Sequence, residues 1–287
     1  MKENFIKLGY LNEDFHIFHI KDKKKMEFQY HSHDFHKIVM FISGDVTYHI
    51  EGKAYKLEPG DILLVGSTEI HKPQISPDRI YERIVLWVYP DFLEKNNTSN
   101  TNLLQCFQLA KERQQHLIRL EGDRNVVVMG ILEKLEKTLS SNDYGNDVLA
   151  RGQFLQLMVM INRLYPKVGN EYGINCYDEG ISKIISFINS NIQEELSIDN
   201  IAGRFFMSRY SLMHKFKKET GSTVYDYIVR KRISMAKILI RKGMAISQIA
   251  QECGFGDYSS FERSFKKNLG MTPREYSSSP EMEFIDV

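Results

Sequence analysis

The last hundred residues of this 287-residue chain are built twice. Ile198, Ile201 and Ala202 recur 48 positions later as Ile246, Ile249 and Ala250. One residue is gained in the stretch Cys253-Gly254-Phe255. After it, Phe216-Lys217-Lys218, Gly221, Thr223 and Tyr227 recur at an offset of 49 as Phe265-Lys266-Lys267, Gly270, Thr272 and Tyr276. Such a repeat constrains folding strongly, because both copies must form the same supersecondary unit. Each copy reads as a short helix, a tight turn and a second amphipathic helix, the outline of a helix-turn-helix. The expected caps agree. Ser197, Ser208 and Asp257 stand where a side-chain oxygen can accept the free N–H groups of a helix start. Gly221 and Gly270 stand just past the second helices, where a left-handed residue ends a helix.

Spacing divides the second helices into faces. Leu212 and Phe216 in the first copy, and Phe261 and Phe265 in the second, form stripes that face a core. Ser208, Arg209, Tyr210, Met213, His214 and Lys217 lie on the other sides of the first. Tyr258, Ser259, Glu262, Arg263, Lys266 and Lys267 do so on the second. One such face alone reads as a solvated surface. Two with matched caps point to recognition helices that enter the major groove of double-stranded DNA. Between the units, residues 223–242 predict a helix ended by Gly243. Its length of about 30 Å is close to the roughly 34 Å of one B-DNA turn. Its basic run Arg230-Lys231-Arg232 fits a site near the phosphates or a solvated charged face equally well. Charge distribution agrees with an anionic partner: residues 179–276 hold 16 Lys and Arg against 10 Asp and Glu, while the rest holds 22 against 27.

Residues 179–276 resemble the DNA-binding block of the AraC/XylS family of bacterial transcription regulators. The resemblance rests on Ile249-Ala250-x-x-Cys253-Gly254-Phe255, then Tyr258, Phe261, Arg263, Phe265 and Lys266, then Gly270-Met271-Thr272-Pro273-Arg274-Glu275-Tyr276. It implies a ligand-responsive regulator, with RNA polymerase as a further partner if it activates. By position it makes Arg209, Tyr210, Met213, His214, Tyr258, Ser259, Glu262 and Arg263 the DNA-facing residues.

The first 90 residues read as β. Ile38–Ile42, Val46–Ile50, Ile62–Val65 and Arg83–Tyr89 predict short strands between turns at residues 43–45, 51–53, 59–61 and 76–78. His31-Ser32-His33 would place two imidazoles on one strand face, a metal-ligand geometry. With Gly44, Pro59-Gly60-Asp61 and His71, this stretch is similar to cupin barrels. Where that pattern has a metal-binding glutamate, this chain has Lys37, whose ammonium repels a cation and offers no lone pair. Three readings stand: histidines packed in a barrel, a metal-dependent enzyme opposed by Lys37, and a small-molecule pocket. By strand parity, His31, His33, Lys37, His71, Arg83 and Trp87 can converge inside. Such a set suits a hydroxylated or anionic effector, and the resemblance adds that regulators of this kind commonly sense a sugar or similar metabolite there.

Helical spacing resumes from Val128 to Leu139 and from about Val148 to Leu164, ended by Pro166. These helices are expected to pack on the barrel, and the resemblance implies that they form a homodimer surface. The expected organisation is α+β. A cupin-like β-barrel with appended helices (residues 1–165) leads through a linker (166–178) to an all-α domain with two helix-turn-helix units joined by a helix (179–280). The tail from Ser277 is polar. Three scattered cysteines, Cys106, Cys176 and Cys253, argue against a zinc knuckle and a disulfide framework. Residues 1–10 carry no leader-like apolar core, and no run is long enough to span a bilayer. The expectation is a cytoplasmic, non-enzymatic regulator with no metal or cofactor and no membrane association.

Overall fold

The computed structural model describes residues 14–22, 28, 30–76, 78–119, 123–165, 174–175 and 179–278. Residues 1–10, Pro77, most of the expected linker, Cys176 and the tail from residue 279 lie outside the described residues.

Two sheets face each other in the N-terminal half. The strands are β1 (Phe15–Asp22), β2 (His36–Ser43), β3 (Val46–Ile50), β4 (Lys53–Lys56), β5 (Ile62–Val65), β6 (His71–Ile75), β7 (Tyr81–Val88), β8 (Leu117–Ile118) and β9 (Ile174–Asn175). One sheet has the order β1-β7-β2-β5-β8, the other β6-β3-β4-β9. The expected barrel is thus two sheets around a shared interior, not one hydrogen-bonded ring. Within the expected linker, Ile174 and Asn175 pair with Ala54 and Lys53 and extend the second sheet.

Strands β2, β5 and β7 are buried on both faces, which explains their nearly continuous apolar runs. Val39, Phe41, Leu63, Val85 and Trp87 point between the sheets and meet Val46, Tyr48, Ile50 and Tyr55. Ile38, Met40, Leu64, Ile84 and Leu86 point outward. They are covered by α1 (Pro90–Lys95), α2 (Gln105–Arg113), α3 (Asp123–Leu139) and α4 (Asn146–Leu164), through Phe92, Phe107, Leu132, Leu135, Phe154 and Leu157 among others.

The C-terminal half is helical: α5 (Glu179–Ser190), α6 (Ile198–Arg204), α7 (Arg209–Thr220), α8 (Val224–Arg241), α9 (Ile246–Glu252), α10 (Tyr258–Leu269) and α11 (Pro273–Ser278). The expected caps form. Ser197, Ser208 and Asp257 accept from the amides of Asn200, Ser211 and Ser260. Gly221 and Gly270 close α7 and α10 at φ 71° and 77°. The residue gained in the second copy is Gly256: the turns superpose through Phe206 and Gly254, then Met207 and Phe255. In both, the amide after the left-handed residue bonds back to the carbonyl of Ala202 or Ala250, at 2.9 Å.

Helix α8 belongs to both units. Val224, Tyr227 and Ile228 complete the first core, and Val229, Ile233, Ala236 and Ile240 complete the second. It is also docked on the sheet domain. Glu51, in the β3–β4 turn, is buried. It pairs with Lys231 and accepts from Tyr227 (2.6 Å), Asn189 (2.7 Å) and the Ile70 amide (2.5 Å). Asp34, also buried, pairs with Lys237 (3.4 Å) and Arg241 (2.5 Å). Ser32 and Ser234 share a hydrogen bond of 2.7 Å. The run Arg230-Lys231-Arg232 is therefore neither a phosphate contact nor a solvated face. Arg230 donates to the Tyr30 carbonyl, Lys231 is buried against Glu51, and Arg232 donates to the carbonyls of Ile192 and Glu194.

The two turns differ in their left-handed residue. Phe206 adopts φ 54° and is 98% exposed, while its counterpart Gly254 adopts φ 77°. A Cβ on Gly254 would lie 2.6 Å from the Gln193 carbonyl oxygen. Gly254→Ala should therefore lower stability by about 2–4 kcal/mol, combining the left-handed penalty with a backbone clash. Phe206→Gly should raise it by up to about 1 kcal/mol. Urea titration of the full chain checks both signs.

Candidate nucleic-acid interface and effector pocket

The capped second helices present the predicted surfaces. Ser208, Arg209, Tyr210, Met213, His214 and Lys217 are all exposed along α7, while Leu212 and Phe216 are fully buried beneath them. On α10, Tyr258, Ser259, Arg263, Lys266 and Lys267 are exposed and Glu262 is half-buried, above buried Phe261 and Phe265. The long polar groups rest on local partners. Arg209 pairs with Asp199 at 2.9 Å, Tyr258 donates to Glu262 at 3.3 Å, and Arg263 donates to the Ser259 carbonyl at 3.2 Å. Exposed contacts of this kind contribute about 0–1 kcal/mol and exchange readily for stronger partners. The Ser208 hydroxyl serves as the helix cap.

The six interior candidates also converge. The rings of His31, His33 and His71 gather edge-on or tilted to one another, with centroids 4.3 Å (31 to 71), 4.8 Å (33 to 71) and 6.4 Å (31 to 33) apart. Lys37 lies opposite Trp87 in the β2–β7 register, and Arg83 lies opposite Phe41. His33 and His71 each donate Nδ1–H to a backbone carbonyl, of Phe35 (2.7 Å) and Glu69 (2.9 Å). Their Nε2 lone pairs are buried with no hydrogen-bond partner among the described residues. Burial, with the charge of Lys37 and the neighbouring rings, holds both imidazoles well below the usual histidine range. Arg83 donates to Asp22 at 3.0 Å and stacks on Tyr81. Trp87 packs against Phe35 and Phe18, and its Nε1–H is buried with no hydrogen-bond partner among the described residues.

Lys37, His31, Tyr48, Tyr81 and Arg83 line a cavity of about 10 Å³, room for about one water. Burial, then the charge of Arg83, lowers the Lys37 ammonium to about 7. Among the described residues no group of three or more His, Cys, Asp or Glu has metal-holding geometry. The chemistry on offer is a lysine donor beside two imidazole acceptors, complementary to a hydroxyl group.

Comparison with known proteins now bears on both halves. Residues 17–158 match the family described as AraC-like ligand binding domain, and residues 201–279 match a helix-turn-helix domain. The chain belongs to the AraC family of transcription regulators. Along this AraC-family chain, the lactose operon transcription activator of Staphylococcus xylosus is 25% identical over 248 residues, 84% of each protein. The transcriptional activator RhaS of Enterobacter sp. (strain 638) is 27% identical over 257 residues, covering 86% of this chain and 87% of RhaS. A solved AraC-type regulator structure from Chromobacterium violaceum aligns at 30% identity over 35% of this chain and 90% of that one, with a TM-score of 0.32. This AraC-family protein is a DNA-binding regulator with a ligand-binding domain. Among its described residues no helix is long and apolar enough to cross a membrane.

Sequence reasoning missed Glu51 and Asp34, which tie the regulator's two halves together. Glu51 had been legible only as a turn residue. Burial alone would raise its carboxyl, but Lys231, Tyr227 and the Ile70 amide hold it below its usual value.

The interior cluster makes stability pH-dependent. An unfolded lysine titrates near 10.4, so between pH 7 and about 10 the unfolded chain binds more protons than the folded one. Stability should rise with pH across that window. Below about pH 6.5 the depressed histidines act in the same direction, so stability falls further on acidification. Lys37→Met should flatten the rise and raise the melting temperature at pH 7, as thermal melts at pH 7 and 9.5 will show.

Proposed function

We propose that α7 and α10 are the two reading helices of an activator that occupies adjacent major grooves of double-stranded DNA. The observation that carries this reading is the matched pair of exposed polar faces, each on a capped second helix with a buried stripe beneath it. Helix α8 spans about 27 Å over its 18 residues, a spacing compatible with one duplex turn of roughly 34 Å. The named activators among its relatives favour activation, with RNA polymerase as partner, and a sugar-related effector. The protein acts in the cytoplasm as a regulator, not an enzyme. Its domains are 1–165 and 179–280, joined by 166–178.

The interior residues His31, His33, Lys37, His71, Arg83 and Trp87 are the proposed effector-facing set. Their small cavity requires side chains to move before anything larger than a water enters. Exposed Leu139, Tyr144, Val148 and Leu149 at the turn between α3 and α4 support this hairpin as the homodimer face, since clustered exposed apolar residues mark interaction surfaces.

Base and phosphate contacts separate by specificity. Arg263→Ala should weaken binding to the cognate operator by about 1–3 kcal/mol with little effect on scrambled DNA. Lys267→Ala should weaken both alike and reduce the salt dependence. Titration of both variants against both DNAs at two salt concentrations tests this. Unchanged affinities with Arg263→Ala would remove α10 from the reading surface.

A further inference from the structure

The space that the sheet interior lacks lies elsewhere. A cavity of about 310 Å³ opens where the sheet domain meets the C-terminal end of α8. That volume falls in the range of small-molecule sites, roughly 300–1,000 Å³. Its walls come from five separate stretches: His36 at the start of β2, the loop after β5, helix α1, the stretch from Leu104 along α2, and the C-terminal end of α8.

Its polar groups are fixed from behind. His36 is buried and stacks on Phe107, with centroids 4.1 Å apart and planes at 16°. Its Nδ1 accepts from the Ser67 amide at 3.0 Å. Burial lowers this imidazole to about 3, so the ring is neutral and carries its proton on Nε2. That N–H has no partner among the described residues. Glu69 is also buried. Its Oε2 accepts from the Gly66 amide at 2.5 Å, while Oε1 has no partner among the described residues. The loop between them is tightly held: the Thr68 amide donates to the His33 carbonyl at 2.7 Å, and Thr68 itself is left-handed at φ 70°. A β-branched residue there marks a loop conformation imposed by its surroundings.

Across the cavity, Lys242 is neutralised by Glu94 and Asp91 at 3.3 and 3.6 Å. Lys111 on α2 makes no ion pair among the described residues. Leu104, Phe107 and Ile238 supply an apolar floor. An occupant therefore meets two donors (His36 Nε2–H and the Lys111 ammonium), the Ser67 and Thr68 hydroxyls, which donate or accept, a carboxylate charge held just behind the wall, and hydrocarbon. A hydroxyl both donates and accepts, so a compact molecule with several hydroxyls and an apolar C–H face satisfies this set. An anion would face Glu69, and a cation would face Lys111.

We infer that this junction cavity is a second ligand site, separate from the interior cluster and built for a neutral polyhydroxylated molecule of about monosaccharide size. An occupant touches both halves of the protein at once, including Ile238 and Lys242. These lie next to Lys237 and Arg241, the residues that anchor α8 to Asp34.

The test uses the full chain and calorimetric titration with D-glucose, D-galactose, L-rhamnose and lactose. Trp87 is the chain's single tryptophan and lies in the sheet interior, so its fluorescence reports on that site. The expected result is binding of at least one sugar with Trp87 emission unchanged. Affinity should fall at least tenfold in Lys111→Ala, an exposed position, and in Ile238→Trp, which fills the cavity. Binding that shifts Trp87 emission and is lost in Lys37→Met would overturn the junction site in favour of the interior one. Failure of all four sugars to bind, or full affinity in Lys111→Ala, would overturn it outright. None of these outcomes bears on the DNA-reading assignment.

Discussion

The relation between the two halves depends on one buried carboxylate. Glu51 occupies a left-handed turn position at φ 46°. From there its two oxygens gather Lys231, Tyr227 and Asn189 from the helical domain and the Ile70 amide from its own. Replacing such a cluster wholesale with apolar residues could be neutral, whereas losing one partner strands a charge in a dry interface at a cost of about 3–5 kcal/mol. The value of Glu51 is thus positional. It admits one seating of α8, and the Asp34 pairs with Lys237 and Arg241 repeat the constraint two turns further along. Ile70, from the sheet domain, completes the packing beside the first helical core.

Much of this architecture was legible in the sequence. The repeat declared itself because both copies use the same caps and stripes, and the cap geometry needs only local residues. Strands β2, β5 and β7 were visible because burial on two faces leaves apolar runs. Strands β1 and β6, with His16, His19, Lys72 and Gln74, were not, since half-exposed polar strands carry little pattern. The interior set was found by strand parity, a rule of two. Glu51 and Lys231 stand 180 positions apart, and an ion pair at that separation leaves no local trace. The junction cavity is illegible for the same reason, since its walls come from residues 36, 66–69, 90–94, 104–111 and 238–242.

The double burial of the central sheet also explains where open volume lies. Its inner face, through Val39, Leu63 and Trp87, meets Tyr48 and Tyr55 of the opposite sheet and fills the space between them, while its outer face is sealed by α1–α4. Side chains packed from both directions leave little void. Volume survives where a rigid helix meets a curved loop whose contours cannot match.

Helix α8 has a mechanical consequence for the DNA. Because one continuous rod supplies core residues to both units, the units share an axis and cannot turn independently. Moving one half-site by a single base pair rotates it by about 34–36° around the duplex. A jointed linker would absorb that twist, but α8 transmits it. The mismatch must then be met by overwinding, underwinding or bending the operator, at an energy set by the deformability of base steps that no side chain touches. With α7 and α10 both seated as proposed, the protein would select for how its binding site flexes as well as for the letters it carries.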